Sequence, residues 1–323
     1  VRSWLRTLRF ALALATSVTL VGVALGPTRA CAQAAEPNAE PKPKPKPKPE
    51  RKPLTLTPGA LPPVVYPKTA LRVGVVDALL SGAGASMAAI PALLGPNTNG
   101  PRGINSFDES VRNALLPDSY ELQLLFRDSS DALLGAAISY VFIGDALIHA
   151  TWLRKSPDVG IQMALIDAEV TLLTLGASQL TAHAVGRERP FGRTCGIDID
   201  DDSAQCVEND RYLSFFSTHA SLTFAMAAVT CAHHNALHLS GNHPWIACVT
   251  GFTAAAATAV SRIVADQHYA TDVMTGAVVG TLIGFAVPAA HYGFGRFRPG
   301  GSGALSHVLV LPTFGGISVT GAF

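Results

Sequence analysis

Five long, nearly uncharged segments restrict the fold of this chain more than any other feature. They run from Ala132 to Trp152, Gly160 to Val185, Ala220 to His233, Trp245 to Val264 and Thr271 to His291. A helix needs about 20 mostly apolar residues to cross the roughly 30 Å hydrocarbon of a bilayer, and most of these segments approach that length. The last has Asp272 as its single charge and is rich in the Gly and Ala that let helices approach closely. A chain with 48% hydrophobic and 15% charged residues supports the same class. The expected fold is all-α, an integral membrane helical bundle of five to six apolar helices. Asp167 and Glu169 interrupt the second segment, so they must face the bundle interior or a cavity.

The sixth candidate, Leu71 to Leu94, is apolar but carries Arg72 and Asp77 and is broken by Pro91. It either spans or lies at the interface, and the topology below takes it as not crossing. Upstream, residues 1–34 carry Arg2, Arg6 and Arg9, an apolar run from Phe10 to Gly26, and small residues at Ala30, Ala32 and Ala34. This is the build of a secretory signal peptide, the alternative being an anchor helix. Residues 35–69 form a Pro/Lys-rich linker whose alternating Pro and Lys from Pro41 to Pro49 favour an extended rod. Residues 70–292 then make the helical region, and 293–323 a tail that alternates weakly around a Gly-Gly turn and is a possible hairpin. Asn97 to Asp131 is polar, with Ser106 as the expected cap of an amphipathic helix.

Three polar islands sit at the ends of the apolar segments: His183 to Pro190, Phe215 to Ser221, and Ser261 to Asp272. In an antiparallel bundle the end of one helix, the start of the next and the junction two helices later emerge on one face. Arg187, Arg189, Ser217, His219, Arg262 and His268 therefore converge. Guanidinium forks, two imidazoles and a hydroxyl suit a tetrahedral oxyanion, of which phosphate is the common biological case. A trio such as Arg262, His268 and Asp272 also occurs as a purely structural hydrogen-bond network. The net charge of +1 gives no argument for a nucleic-acid partner.

These islands resemble the motifs of the type 2 phosphatidic acid phosphatase superfamily, which includes membrane lipid phosphatases, class A acid phosphatases and vanadium haloperoxidases. The third motif, Ser-Arg, five residues, His, three residues, Asp, is complete as Ser261, Arg262, His268 and Asp272. The second, Pro-Ser-Gly-His, survives in Ser217 and His219, with Phe216 and Thr218 in place of Pro and Gly. The first, Lys, six residues, Arg-Pro, keeps Arg189 and Pro190 but has Ala182 at the lysine position. The resemblance implies His268 as nucleophile, Asp272 as its orienting carboxylate, and His219 as general acid and then base. It implies Arg189, Arg262, Ser217 and the Thr218 amide as phosphate donors, with Arg187 as a possible substitute for the lysine. In-line transfer through a phosphohistidine needs no metal or other cofactor.

The implied function is a phosphatase acting on a phosphomonoester or pyrophosphate, the partner being a phosphorylated lipid or small phosphoester at a membrane. The alternatives are an anion- or lipid-phosphate-binding homologue without turnover, or a soluble periplasmic acid phosphatase. Losing one charged hydrogen bond at Ala182 costs about 1.5–3 kcal/mol, and Thr218 resists a positive backbone torsion that glycine tolerates. With the linker exported and Leu71 to Leu94 not crossing, the site faces the periplasm from the inner membrane of a bacterial envelope. Arg154, Lys155, Arg296 and Arg298 then fall inside. A Cys195–Cys206 disulfide fits that compartment and would pin the loop beside the site. The acidic run DIDDD, residues 198–202, is read as a solvated loop. Cys231 and Cys248 are read as core thiols, and His233, His234, His238 and His243 as lying on the opposite face, outside the site.

Overall fold

The computed structural model describes residues 57–102, 105–197, 199, 200, 203, 206, 209–241 and 243–293, and the backbone of 309–313 and 316–320. The signal and most of the linker expected before residue 57, and Asp198, Asp201, Asp202, Arg296 and Arg298, lie outside the described residues. Seven α-helices are present among those described. They are α1 (Val75–Leu94), α2 (Ser106–Leu115), α3 (Tyr120–Ser139), α4 (Pro157–Val185), α5 (Thr218–Leu237), α6 (Pro244–Val264) and α7 (Ala270–Tyr292). Helix α3 continues as a π-helix over Tyr140–Leu153. In the tail, β1 (Leu309–Thr313) and β2 (Gly316–Thr320) pair antiparallel, with Leu309 opposite Thr320.

Local chemistry sets the helix boundaries. Pro157 and Pro244 open α4 and α6, at the first-turn position where a missing N–H costs nothing. Helix α4 stops at Gly186, whose φ of 61° is left-handed and whose N–H returns to the Ala182 carbonyl. A side chain at Gly186 would strike the Asn97 backbone. Helix α2 is capped by Asn105, whose side-chain oxygen accepts from the Asp108 N–H at 2.8 Å. The cap expected at Ser106 is thus one residue earlier, and Ser106 is the first helical residue. The helix expected from Ala132 begins at Tyr120, twelve residues earlier, capped by the Ser119 side chain, and its added turns bring Arg127 and Asp131 to the site.

Helix α5 is the axis of the bundle, buried along nearly its whole length. It packs on α7 so closely that a Cβ at Gly280 would sit 2.0 Å from the Ser221 carbonyl oxygen. In lipid, helix association depends on such van der Waals contact rather than on the hydrophobic effect. Around α5, five helical stretches are long and apolar enough to cross a membrane: Val75–Leu94, Tyr120–Leu153, Pro157–Arg193, Pro244–Val264 and Ala270–Tyr292. Their outer faces expose Leu79, Leu93, Ile143, Leu147, Ile161, Val278 and Leu282. Asp167 and Glu169 turn inward as expected and are buried, Asp167 against His233 and Glu169 against His291.

One expectation is narrowed and one corrected. Helix α1 is long and apolar enough to cross a membrane and runs lengthwise beside α4: Arg72 pairs with Asp158 at one end, and Asn97 N–H donates to the His183 carbonyl at the other. Residues 57–74 consequently sit at the end of the bundle opposite the polar islands, where Gly59 and Leu61 bond to Trp152 and Leu153. Cys231 and Cys248 are not free thiols. They form a disulfide between α5 and α6, because the two helices bring their Cα atoms to 4.5 Å.

Candidate active site

The three islands meet at one end of the bundle around a cavity of about 340 Å³. Its wall includes Arg189 from beyond α4, Thr218 and His219 from the first turn of α5, Arg262 from the last turn of α6, and His268 from the α6–α7 turn. The turn is held from outside. Asp266, at a left-handed φ of 57°, receives a bidentate, buried fork from Arg112 of α2 at 2.6 and 2.7 Å. The Phe191 N–H donates to its carbonyl.

His268 is buried, and its Nδ1 lies 2.8 Å from the Ser214 carbonyl oxygen. A carbonyl only accepts, so Nδ1 carries the proton and Nε2 keeps a lone pair. Burial, then the nearby Arg189 and Arg262 charges, hold the imidazole pKa well below its ordinary 6.5. The ring is therefore neutral at neutral pH.

Asp272 does not orient that ring by a direct bond, being 4.0 Å from His268 Nδ1. Its carboxylate accepts from the Ser214 hydroxyl at 2.6 Å, from the Tyr269 N–H at 3.0 Å, and from Arg187. It acts one step back, fixing the Ser214 residue whose carbonyl grips the imidazole. Arg187 is likewise corrected. Its guanidinium is committed to Asp272, Asp108 and Thr271 and stacks 4.2 Å over the Tyr269 ring, leaving it out of the cavity wall.

His219 Nε2 lies 2.7 Å from Asp131 Oδ1, and the same carboxylate oxygen accepts from Arg262 Nη1 at 3.2 Å. Arg262 also reaches Ser130 and Gln267, and Arg189 reaches Gln267 and Asp210. Gln267 thus spaces the two guanidiniums. Ser217 caps α5 through its hydroxyl and is fully buried, away from the cavity. Thr218 is the first residue of α5 and is not among the positive-φ residues, so the strain expected from replacing glycine does not arise. The Cys195–Cys206 disulfide forms and closes the loop after Pro190.

Ala182 is buried and absent from the cavity wall, but Gln179, one turn earlier on α4, lines it. So do Arg127 and Asp131 of α3, which sequence reasoning missed. The signal available was their position just ahead of the uncharged run, where a charge at a helix start looks like ordinary interfacial solvation.

Comparison with known proteins agrees with the motifs. Residues 164–296 match the PAP2 superfamily model. Over 123 residues the chain is 41% identical to a protein of Porphyromonas gingivalis described as a lipid A 1-phosphatase. That alignment covers 38% of this chain and only 22% of the relative. The crystal structure of a transmembrane PAP2-type phosphatidylglycerolphosphate phosphatase from Bacillus subtilis aligns with 69% of this chain and 98% of its own, at 20% identity and a TM-score of 0.42. With all three motifs gathered at one bundle end, residues 164–296 are similar to the PAP2 superfamily.

Proposed function

We propose that the chain is a membrane phosphatase that hydrolyses the phosphomonoester or pyrophosphate of a lipid through a phosphohistidine on His268. The observation that carries this reading is the single free nitrogen of His268, with its other nitrogen tied to the Ser214 carbonyl, beside His219 and two cavity-lining arginines. Nε2 attacks phosphorus as the bond to the leaving oxygen breaks, and His219, having taken up a proton from solvent to become the imidazolium, gives that proton to the oxygen. Water then attacks phosphorus, forming an O–P bond as the P–N bond breaks, while His219 takes its proton, releasing phosphate and the neutral His268 imidazole. Arg189 and Arg262 balance charge on the phosphoryl oxygens, and the Thr218 amide at the start of α5 adds a donor.

Asp131 now occupies the place of an anion, bonded to both His219 and Arg262. An incoming phosphoryl group displaces it and inherits both partners. Arg127 supplies the cation that Ala182 lacks, because it reaches the same cavity from α3. A lipid substrate, the class on which both relatives are described as acting, suits the apolar outer faces of the bundle. Those faces disfavour the soluble alternative, since α1 is only 11% buried over its most apolar window and would expose that surface to water.

We read the site end as facing away from the cytoplasm. The Cys195–Cys206 disulfide beside the site suits an oxidising compartment, while Cys231–Cys248 lies between helices toward the other end.

The test is phosphate release by the purified protein from lipid A, phosphatidylglycerol phosphate, phosphatidic acid and a prenyl pyrophosphate, beside His268→Ala. Release from one class, abolished in the variant, is expected. Equal release by both proteins would remove His268 as the nucleophile, and no release from any substrate with tight phosphate binding retained would establish the binding homologue instead.

A further inference from the structure

A second polar cluster lies at the other end of the bundle, where the phosphatase chemistry has no use for it. Asp145 and His149 stand on successive turns of the π-helix, and His234 faces them from the last turn of α5. Asp145 and His234 are buried, and the His149 side chain keeps 21% of its exposure. Asp145 is 14 residues beyond Asp131, roughly 20 Å along a helix at 1.5 Å per residue.

The spacing within the cluster is informative. His234 Nε2 is almost equidistant from the two Asp145 oxygens, at 3.1 and 3.2 Å, and His149 Nδ1 is 3.7 Å from Oδ1. One donor atom from each residue lies within 4.8 Å of both others. Charged N–H···O bonds run shorter, about 2.7–2.9 Å. Ligands 2.0–2.1 Å from a tetrahedral zinc stand about 3.3 Å from one another, in the middle of the observed distances. The remaining nitrogen of His234 is held by the Ser240 hydroxyl, the outer-shell contact that fixes a ligating imidazole.

The neighbouring pair shows the contrast. His233 gives one nitrogen to Asp167 at 3.0 Å and the other to the Tyr292 hydroxyl at 2.7 Å, an ordinary one-to-one arrangement. Asp145 instead has two imidazoles directed at a single carboxylate.

We propose that Asp145, His149 and His234 bind a divalent cation of the zinc class, tying the π-helix to α5 at the end remote from His268. Two imidazoles and a carboxylate match the zinc donor set, and the fourth position opens on the partly exposed His149 side. This assignment stands whether or not His268 is a nucleophile.

The experiment uses untagged full-length protein in detergent, loaded with zinc, desalted through a weak chelator and assayed for bound metal. About one zinc per chain is expected for the wild type. His149→Ala and Asp145→Asn should lose it, while Glu169→Gln, in the separate Asp77–Glu169–His291 group, should keep it. Cobalt(II) loading should give tetrahedral visible bands in the wild type and none in His149→Ala. Zinc should raise the melting temperature of the wild type and leave that of His149→Ala unmoved. A wild type that retains no zinc overturns the proposal. So does zinc that survives His149→Ala but is lost in Glu169→Gln.

Discussion

At the scale of single residues, the site divides into groups that face the cavity and groups that hold them. His268, His219, Arg189, Arg262 and Arg127 face it, whereas Asp272, Arg187 and Ser217 are committed to bonds behind it. Three outcomes follow from that division. Arg127→Ala should lower kcat/KM by about 10- to 100-fold, the equivalent of a charged hydrogen bond worth roughly 1.5–3 kcal/mol. Steady-state kinetics on a lipid phosphate measure it, and an unchanged value would remove Arg127 from the substrate contacts. His219→Ala should lower kcat by about 10²–10⁴ with a poor leaving group, and by less with a nitrophenyl phosphate that needs no proton. Comparing the two substrates isolates the acid. The third outcome concerns pH. Because the His268 pKa is pushed below 6.5, the nucleophile stays unprotonated as pH falls through 6.5 and is lost only in more acidic solution. The acid limb of the kcat/KM profile due to His268 should accordingly lie below that value; a nucleophile titrating at 6.5 would contradict the buried, arginine-flanked setting.

At the scale of elements, α2 is a small strut with a large effect. Arg112 grips Asp266, and buried Asp108 accepts from Arg187, from the Thr271 N–H at 2.9 Å and from its hydroxyl at 2.8 Å. One helix thereby fixes both the turn before His268 and the start of α7 after it. Removing one partner of a buried ion pair costs about 3–5 kcal/mol, because the other charge is left without compensation. Asp108→Ala should therefore lower the melting temperature and reduce kcat, although residue 108 lines no part of the cavity. Thermal unfolding and turnover measured on the same preparation check both effects. A stable variant with full turnover would show that α2 is dispensable. Helix α7 depends on close approach in the same way, and a side chain larger than hydrogen at Gly280 has no room beside α5.

At the scale of the whole molecule, the bundle has two unlike ends. One carries the oxyanion cavity and the Cys195–Cys206 disulfide; the other carries residues 57–74, Arg154 and the Asp145 cluster. Their separation decides topology, and it can be measured in intact cells. In a variant lacking native reactive thiols, a cysteine at Thr57 should resist a membrane-impermeant maleimide, whereas one at Ile197 should react. The reverse pattern would place the site inside, and labelling at both positions would mean that α1 does not cross.

The sequence by itself determined the helical membrane class and which polar residues gather at one end. Long apolar runs leave few alternatives to a helical membrane bundle, and the spacing of Ser261, Arg262, His268 and Asp272 survives folding unchanged because it is local. What only the tertiary structure decided is what each polar side chain bonds to. A guanidinium, a carboxylate or a thiol binds whichever partner the helix packing delivers, and those partners are distant in the chain. Arg187 went to Asp108, 79 residues away; Cys231 met Cys248 across two helices; Asp272 held Ser214 rather than His268. Arg127 entered the cavity from a helix that no motif marks. The run from Leu71 to Leu94 is equally apolar whether it crosses or lies flat, and its place was fixed by Arg72 and Asn97 meeting opposite ends of α4.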